Sequence, residues 1–122
     1  MGPAPQIEPD RRAEARMLCS ELVTVQWVDS AGRDCMATAV LEDISPSGAC
    51  LQFEVAVSEG TQLSIAVPGM VLPGQARYCR FRDAGYFTGV RFDGDCQWSA
   101  ARYRPQHLLD PRSLGGAPRP PR

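Results

Sequence analysis

From Leu22 to Val28 the chain reads LVTVQWV, with Val23, Val25 and Trp27 alternating against Thr24 and Gln26. A period of two places the first set on one face of an extended strand and the second set on the other. Asp29-Ser30-Ala31-Gly32 follows with turn composition, and a second strand is predicted from Cys35 to Glu42. Asp43 to Gly48 interrupts the pattern with turn chemistry. Alternation resumes from Ala49 to Val55, with Cys50, Gln52 and Glu54 on one side and Leu51, Phe53 and Val55 on the other. Ser58-Glu59-Gly60 turns the chain again, Gln62 to Val67 forms the next strand, and Pro68-Gly69 breaks it. Met70 to Arg82 supplies one or two strands, with a bend or bulge expected at Pro73-Gly74. Asp83-Ala84-Gly85 reads as a hairpin turn before a last strand from Tyr86 to Phe92. Short strands separated by turn residues at this density predict an all-β barrel or sandwich.

The two ends follow neither period. Residues 1–9 are Pro-rich and read as a flexible lead-in. A charged stretch from Asp10 to Arg16 opens a domain expected to run over residues 10–98. Trp98, Ala101, Tyr103 and Leu108-Leu109 predict a short helix within residues 99–110, on one or both sides of Pro105. Residues 111–122, PRSLGGAPRPPR, have no means of building a core and are expected to be disordered. No internal repeat is visible.

Composition narrows the class. The chain has 122 residues, enough for one domain, and its 43% hydrophobic and 22% charged content is that of a globular protein. A formal net charge of −1 means that nothing global attracts nucleic acid or an acidic membrane. An anionic ligand must therefore be held by locally placed cations. Cys19, Cys35, Cys50, Cys79 and Cys96 are an odd, scattered set without a C-x-x-C pair, which argues against a disulfide framework or a zinc site. Most read as small core hydrophobes. The N-terminus lacks a basic-then-apolar signal pattern, and no apolar run approaches the ~18 residues of a membrane span. The expected setting is a reduced cytoplasm, with no membrane insertion.

Two local patterns carry chemistry. Arg12 and Arg16 form Arg-x-x-x-Arg with Arg11 directly before them, and Asp43-Ile44-Ser45-Pro46-Ser47-Gly48 follows later. In this order, with a strand-rich segment between them and a late Gly89-Val90-Arg91-Phe92 strand, they resemble the PilZ domain family of bacterial cyclic di-GMP receptors. The resemblance covers about residues 10–98 and matches both family motifs, RxxxR and (D/N)xSxxG, without a substitution. It implies a small six-stranded antiparallel PilZ-like β-barrel with a short C-terminal helix. It also implies a cyclic di-GMP site formed by Arg11, Arg12, Arg16, Asp43, Ser45 and Gly48, with no cofactor besides that ligand. In the family the residue before RxxxR influences whether one ligand or an intercalated pair is bound, and an arginine there, as at Arg11, favours the pair.

Elementary chemistry agrees with that assignment. Guanine presents O6 and N7 acceptors that a guanidinium fork fits, and its face stacks on the same plane. Phosphate oxygens accept paired hydrogen bonds from arginine as well. Asp43 offers a carboxylate to guanine N1–H and N2–H, Ser45 can donate or accept, and Gly48 permits either positive φ or a close backbone approach. One motif reads acceptors and phosphates; the other reads donors.

Plainer readings stand beside this one. Arg11, Arg12 and Arg16 could form a solvated basic run, partly neutralised by Asp10 and Glu14, and Asp43-x-Ser-x-x-Gly could be only a structural turn. Arg77, Arg80 and Arg82 lie on late strands; on a PilZ barrel one of them could reach the ligand, but solvated, outward-facing arginine is the favoured reading, with Trp27 read as core and Trp98 as a helix anchor. His107 is the single histidine and reads as a surface residue. No nucleophile–base pair, metal cluster or phosphate-cradling glycine loop suggests an enzyme, and no extended basic face with interleaved aromatics suggests a nucleic-acid partner. The expected function is a cyclic di-GMP receptor that orders its arginine arm on binding and signals in trans to an unidentified effector protein controlling motility, attachment or exopolysaccharide. The alternative is a PilZ-like interaction adaptor that does not bind the ligand.

Overall fold

The computed structural model describes residues 15–111. Six strands follow one another: β1 (Met17–Val28), β2 (Asp34–Ser45), β3 (Gly48–Phe53), β4 (Gln62–Val67), β5 (Met70–Arg82) and β6 (Gly85–Phe92). All pairings are antiparallel, and the order β1-β2-β3-β6-β5-β4 closes when β4 pairs back onto β1. Closure removes the unpaired sheet edges that invite aggregation.

Alternation decides which side chains fill the barrel. Val23, Val25 and Trp27 of β1 point inward with Leu63 and Ile65 of β4 and Leu72 of β5, while Thr24 and Gln26 face out. Val25, Leu41, Ile44, Leu51, Ile65 and Leu72 are among the largest fully buried side chains, so the interior is packed rather than open.

Three features differ from the sequence reading. First, β2 runs on through Asp43 and Ile44 to Ser45, leaving Pro46-Ser47 as a two-residue hairpin link to β3. A bulge at Glu42 shifts the phase of β2, so Ile44 rather than Asp43 turns inward and is fully buried, which is why the strand does not stop at Asp43. Second, β5 is regular through Pro73 and Gly74, which pair with Ser64 and Leu63. Its irregularity falls at Arg77, the extra residue between the pairs Ala76–Val90 and Tyr78–Gly89. Third, residues 99–110 form turns instead of a helix. Pro105 lacks the amide a helix needs, and His107 adopts φ 60°, outside the right-handed helical region. Pro111 is the one described helical residue of the tail; the lead-in and the rest of the tail lie outside the described residues.

That irregular segment still has packing work. Trp98 and Tyr103 are buried in the core cluster, and the Trp98 indole N–H donates to the Tyr103 carbonyl at 2.7 Å. The Trp98 amide donates to the Pro46 carbonyl at 3.0 Å, and the Gln106 amide to Glu21 Oε1 at 2.7 Å. Leu109 then exchanges backbone hydrogen bonds with Leu18 at 2.7 and 2.8 Å. The segment thus runs from the β2–β3 link back to the start of β1 and seals that end of the barrel.

Candidate functional site

Arg16 is the residue before β1, and Asp43 lies two residues before the end of β2. Met17 pairs with Ile44 in the β1–β2 ladder, so the neighbouring side chains Arg16 and Asp43 come onto the outer surface together. One guanidinium nitrogen of Arg16 donates to both Asp43 oxygens, at 3.1 and 3.2 Å. The carboxylate charge raises the Arg16 pKa further, against the smaller opposing effect of desolvation. The Arg16 side chain is 60% exposed and that of Asp43 18%, so the acid is the fixed member and the arginine the accessible one. A carboxylate has about four lone-pair positions, so this pairing leaves acceptor capacity for a second donor.

The hairpin link beside them is rigid. Ser45 is buried, and its hydroxyl donates to the Gly48 carbonyl at 3.3 Å. Pro46 and Ser47 carbonyls accept from the Trp98 and Phe92 amides at 3.0 and 2.7 Å. Gly48 is required for close approach: a Cβ there would lie 2.4 Å from the Val90 carbonyl oxygen. Of the two roles that sequence allowed this glycine, the structure selects proximity to β6.

A row across the outer sheet extends the site. Asp43 pairs with Cys50, Cys50 with Gly89, and Gly89 with Tyr78. Gly89 leaves room for the Tyr78 ring, which a Cβ would meet at 2.1 Å. The phenol hydroxyl reaches Cys50 Sγ at 3.9 Å. Burial pushes the Cys50 thiol up to about 11, reinforced by Asp43, and burial likewise raises the Tyr78 phenol above its ordinary value. Both groups are therefore protonated at neutral pH. The Arg80 guanidinium sits 5.0 Å from the Tyr78 ring centroid, a cation–π distance.

Asp43, Gly89, Tyr78 and Arg80 help to line an open hollow of about 640 Å³. Its lining includes Arg16, Arg77, Arg80 and Arg91 against the single carboxylate Asp43, with Ser45 and Gly48 at one side. A chain of net charge −1 has thus concentrated cations on one patch. Such a patch suits a ligand carrying several negative charges and a flat face.

The sequence profile of the PilZ domain matches residues 10–96. The chain belongs to the PilZ domain family. A search of curated proteins finds no match. PilZ domains are in general cyclic di-GMP-binding modules, and both PilZ motifs of this chain contribute to the hollow through Arg16, Asp43, Ser45 and Gly48. Arg11 and Arg12 lie outside the described residues. Arg77 and Arg80 are exposed, as sequence suggested, yet they also line the hollow, and Tyr78 was not singled out at all. The bulge at Arg77 is the reason: it breaks the alternation from which side-chain direction is read. Arg82 instead lies over the Phe87 ring, 5.4 Å from its centroid.

Proposed function

We propose that this PilZ protein is a receptor for cyclic di-GMP. In this reading the ligand is captured between the arginine arm and the corner made by Asp43, Ser45 and Gly48. The observation that carries the proposal is the meeting of the two motifs. Arg16 and Asp43, 27 residues apart in sequence, are paired at the edge of a hollow lined by four arginines. Asp43 accepts from the N1–H and N2–H edge of one guanine, while Arg16 reads the O6 and N7 edge or a phosphate. Arg12 and Arg11 add cations to the same arm, and Arg11 favours an intercalated ligand pair over a single molecule. Capture orders the arm against the barrel, and the altered surface is read by an effector protein in trans. The described cysteines are all free thiols, which supports action in the reducing cytoplasm.

Isothermal titration of the full chain with cyclic di-GMP, with GTP as control, tests this reading. Saturable binding of cyclic di-GMP alone is expected, with a stoichiometry near two ligands per chain if Arg11 acts as proposed. Absence of binding, or normal binding by Arg16→Ala, would overturn the site. Absence of binding would make the non-binding adaptor the better description, whereas normal binding by Arg16→Ala would move the site elsewhere.

A further inference from the structure

The four arginines that line the hollow are unequally engaged. Arg16 is paired with Asp43, and Arg80 lies over the Tyr78 ring. The side chains of Arg77 and Arg91 make no ion pair, hydrogen bond or ring contact among the described residues. Register nevertheless holds these two close together. Arg91 stands opposite Gln75, and Val90 opposite Ala76. Arg77 is therefore the diagonal neighbour of Arg91 across the β5–β6 ladder, with ~7–8 Å between their backbones. Strict alternation would turn Tyr78 back toward the interior after Arg77. The bulge instead turns both of these consecutive side chains outward into the hollow.

Two neighbouring cations without a counter-charge repel each other, and an anion seated between them removes that cost. We propose that Arg77 and Arg91 form a clamp for a phosphodiester group of the ligand, separate from the contacts made by the two sequence motifs. This inference rests on the receptor reading and assigns the far side of the same site. The motif pair Arg16 and Asp43 stands at β1 and β2, the clamp stands at β6 and β5, and β3 lies between them. Gly48 pairs with Arg91, so the clamp adjoins the corner that holds Ser45. Each guanidinium presents forked N–H donors, which match the free oxygens of a phosphodiester in both geometry and charge. A neutral base edge would leave the repulsion in place. Cyclic di-GMP has two phosphodiesters; one sits at the clamp while the arginine arm holds the other.

Isothermal titration of the full chain with cyclic di-GMP tests the clamp. Arg77→Ala and Arg91→Ala should each weaken binding about tenfold, the scale of a charge-assisted hydrogen bond. Each should also flatten the dependence of affinity on salt between about 10 mM and about 150 mM, which a residue needed only for folding would not do. Arg77→Lys keeps the charge without the fork and should fall between the two. Ligand-free melting temperatures of the alanine variants should match or exceed that of the unaltered chain, because removing either cation relieves the repulsion. Arg82, over the Phe87 ring, does not line the hollow, so Arg82→Ala should bind normally. Unchanged affinity in both alanine variants, with binding lost in Arg16→Ala, would overturn the clamp and leave the receptor reading standing. Absence of binding by the unaltered chain would overturn the receptor reading and the clamp with it. If one alanine variant fails to fold, the other decides.

Discussion

At the scale of single residues, the Arg16–Asp43 pair sets the clearest expectations. Arg16→Ala removes the guanidinium that the receptor proposal assigns to guanine or phosphate and should weaken cyclic di-GMP binding by ~1–3 kcal/mol. Titration calorimetry measures it, and folding should be nearly unaffected because the arginine is exposed and its ion pair contributes little to stability. Gly48→Ala should do the opposite. Its Cβ would press on the Val90 carbonyl, which is backbone and cannot rotate away, so a loss of ~1–3 kcal/mol in urea denaturation is expected. Cys50 supplies a pH test. Its folded pKa is raised to about 11, above the ordinary thiol value and chiefly by burial, so the fold favours the protonated thiol. That contribution is complete below pH ~9 and is lost as pH rises toward ~11, with a limiting slope of ~1.4 kcal/mol per pH unit. Thermal melts should show a shallower alkaline decline in Cys50→Ala; identical declines would mean that the thiol is not buried as described. Among these residues, Arg16, Asp43, Ser45 and Gly48 were legible in sequence because short motifs name them. Tyr78 is hidden because the bulge at Arg77 resets its direction and because its place over the sheet depends on Gly89, a residue of another strand.

At the scale of elements, strand existence was readable wherever inward and outward residues alternate strictly, as in Val23-Thr24-Val25-Gln26-Trp27. Ends and irregularities were not. The start of β1 was missed because a register shift between Leu18 and Glu21 falls where the hydrophobic signal is weak. Polar Asp43 and Ser45 disguised the end of β2, although Ile44 between them is core. The helix expected near residue 100 failed because Trp98 and Tyr103 are buried by a chain of turns, a packing solution with no periodicity to betray it. The segment is nevertheless structural. Trp98→Ala should cost ~3–5 kcal/mol, as for other buried aromatics, measured by urea denaturation. A cost near zero would show that the barrel end does not depend on this plug.

For the whole molecule, the proposed receptor function draws on an uneven distribution of charge rather than on its total. Cyclic di-GMP held by the patch of arginines should raise the melting temperature, by ~2.7 kcal/mol of added stability at a hundredfold excess over Kd. The affinity should fall as salt rises from about 10 mM to about 150 mM, because the hollow is open and screening shortens the reach of its cations. Salt-independent binding would point to contacts other than the arginines. No composition statistic revealed this polarity, since a net charge of −1 is an average over faces that differ completely. It emerged only when register assigned each side chain to its face.

The bridge between Leu18 and Leu109 has a practical consequence. Because the chain enters and leaves the barrel at adjacent points, the unit as a whole can be spliced into a surface loop of an unrelated host with little stretching of either junction.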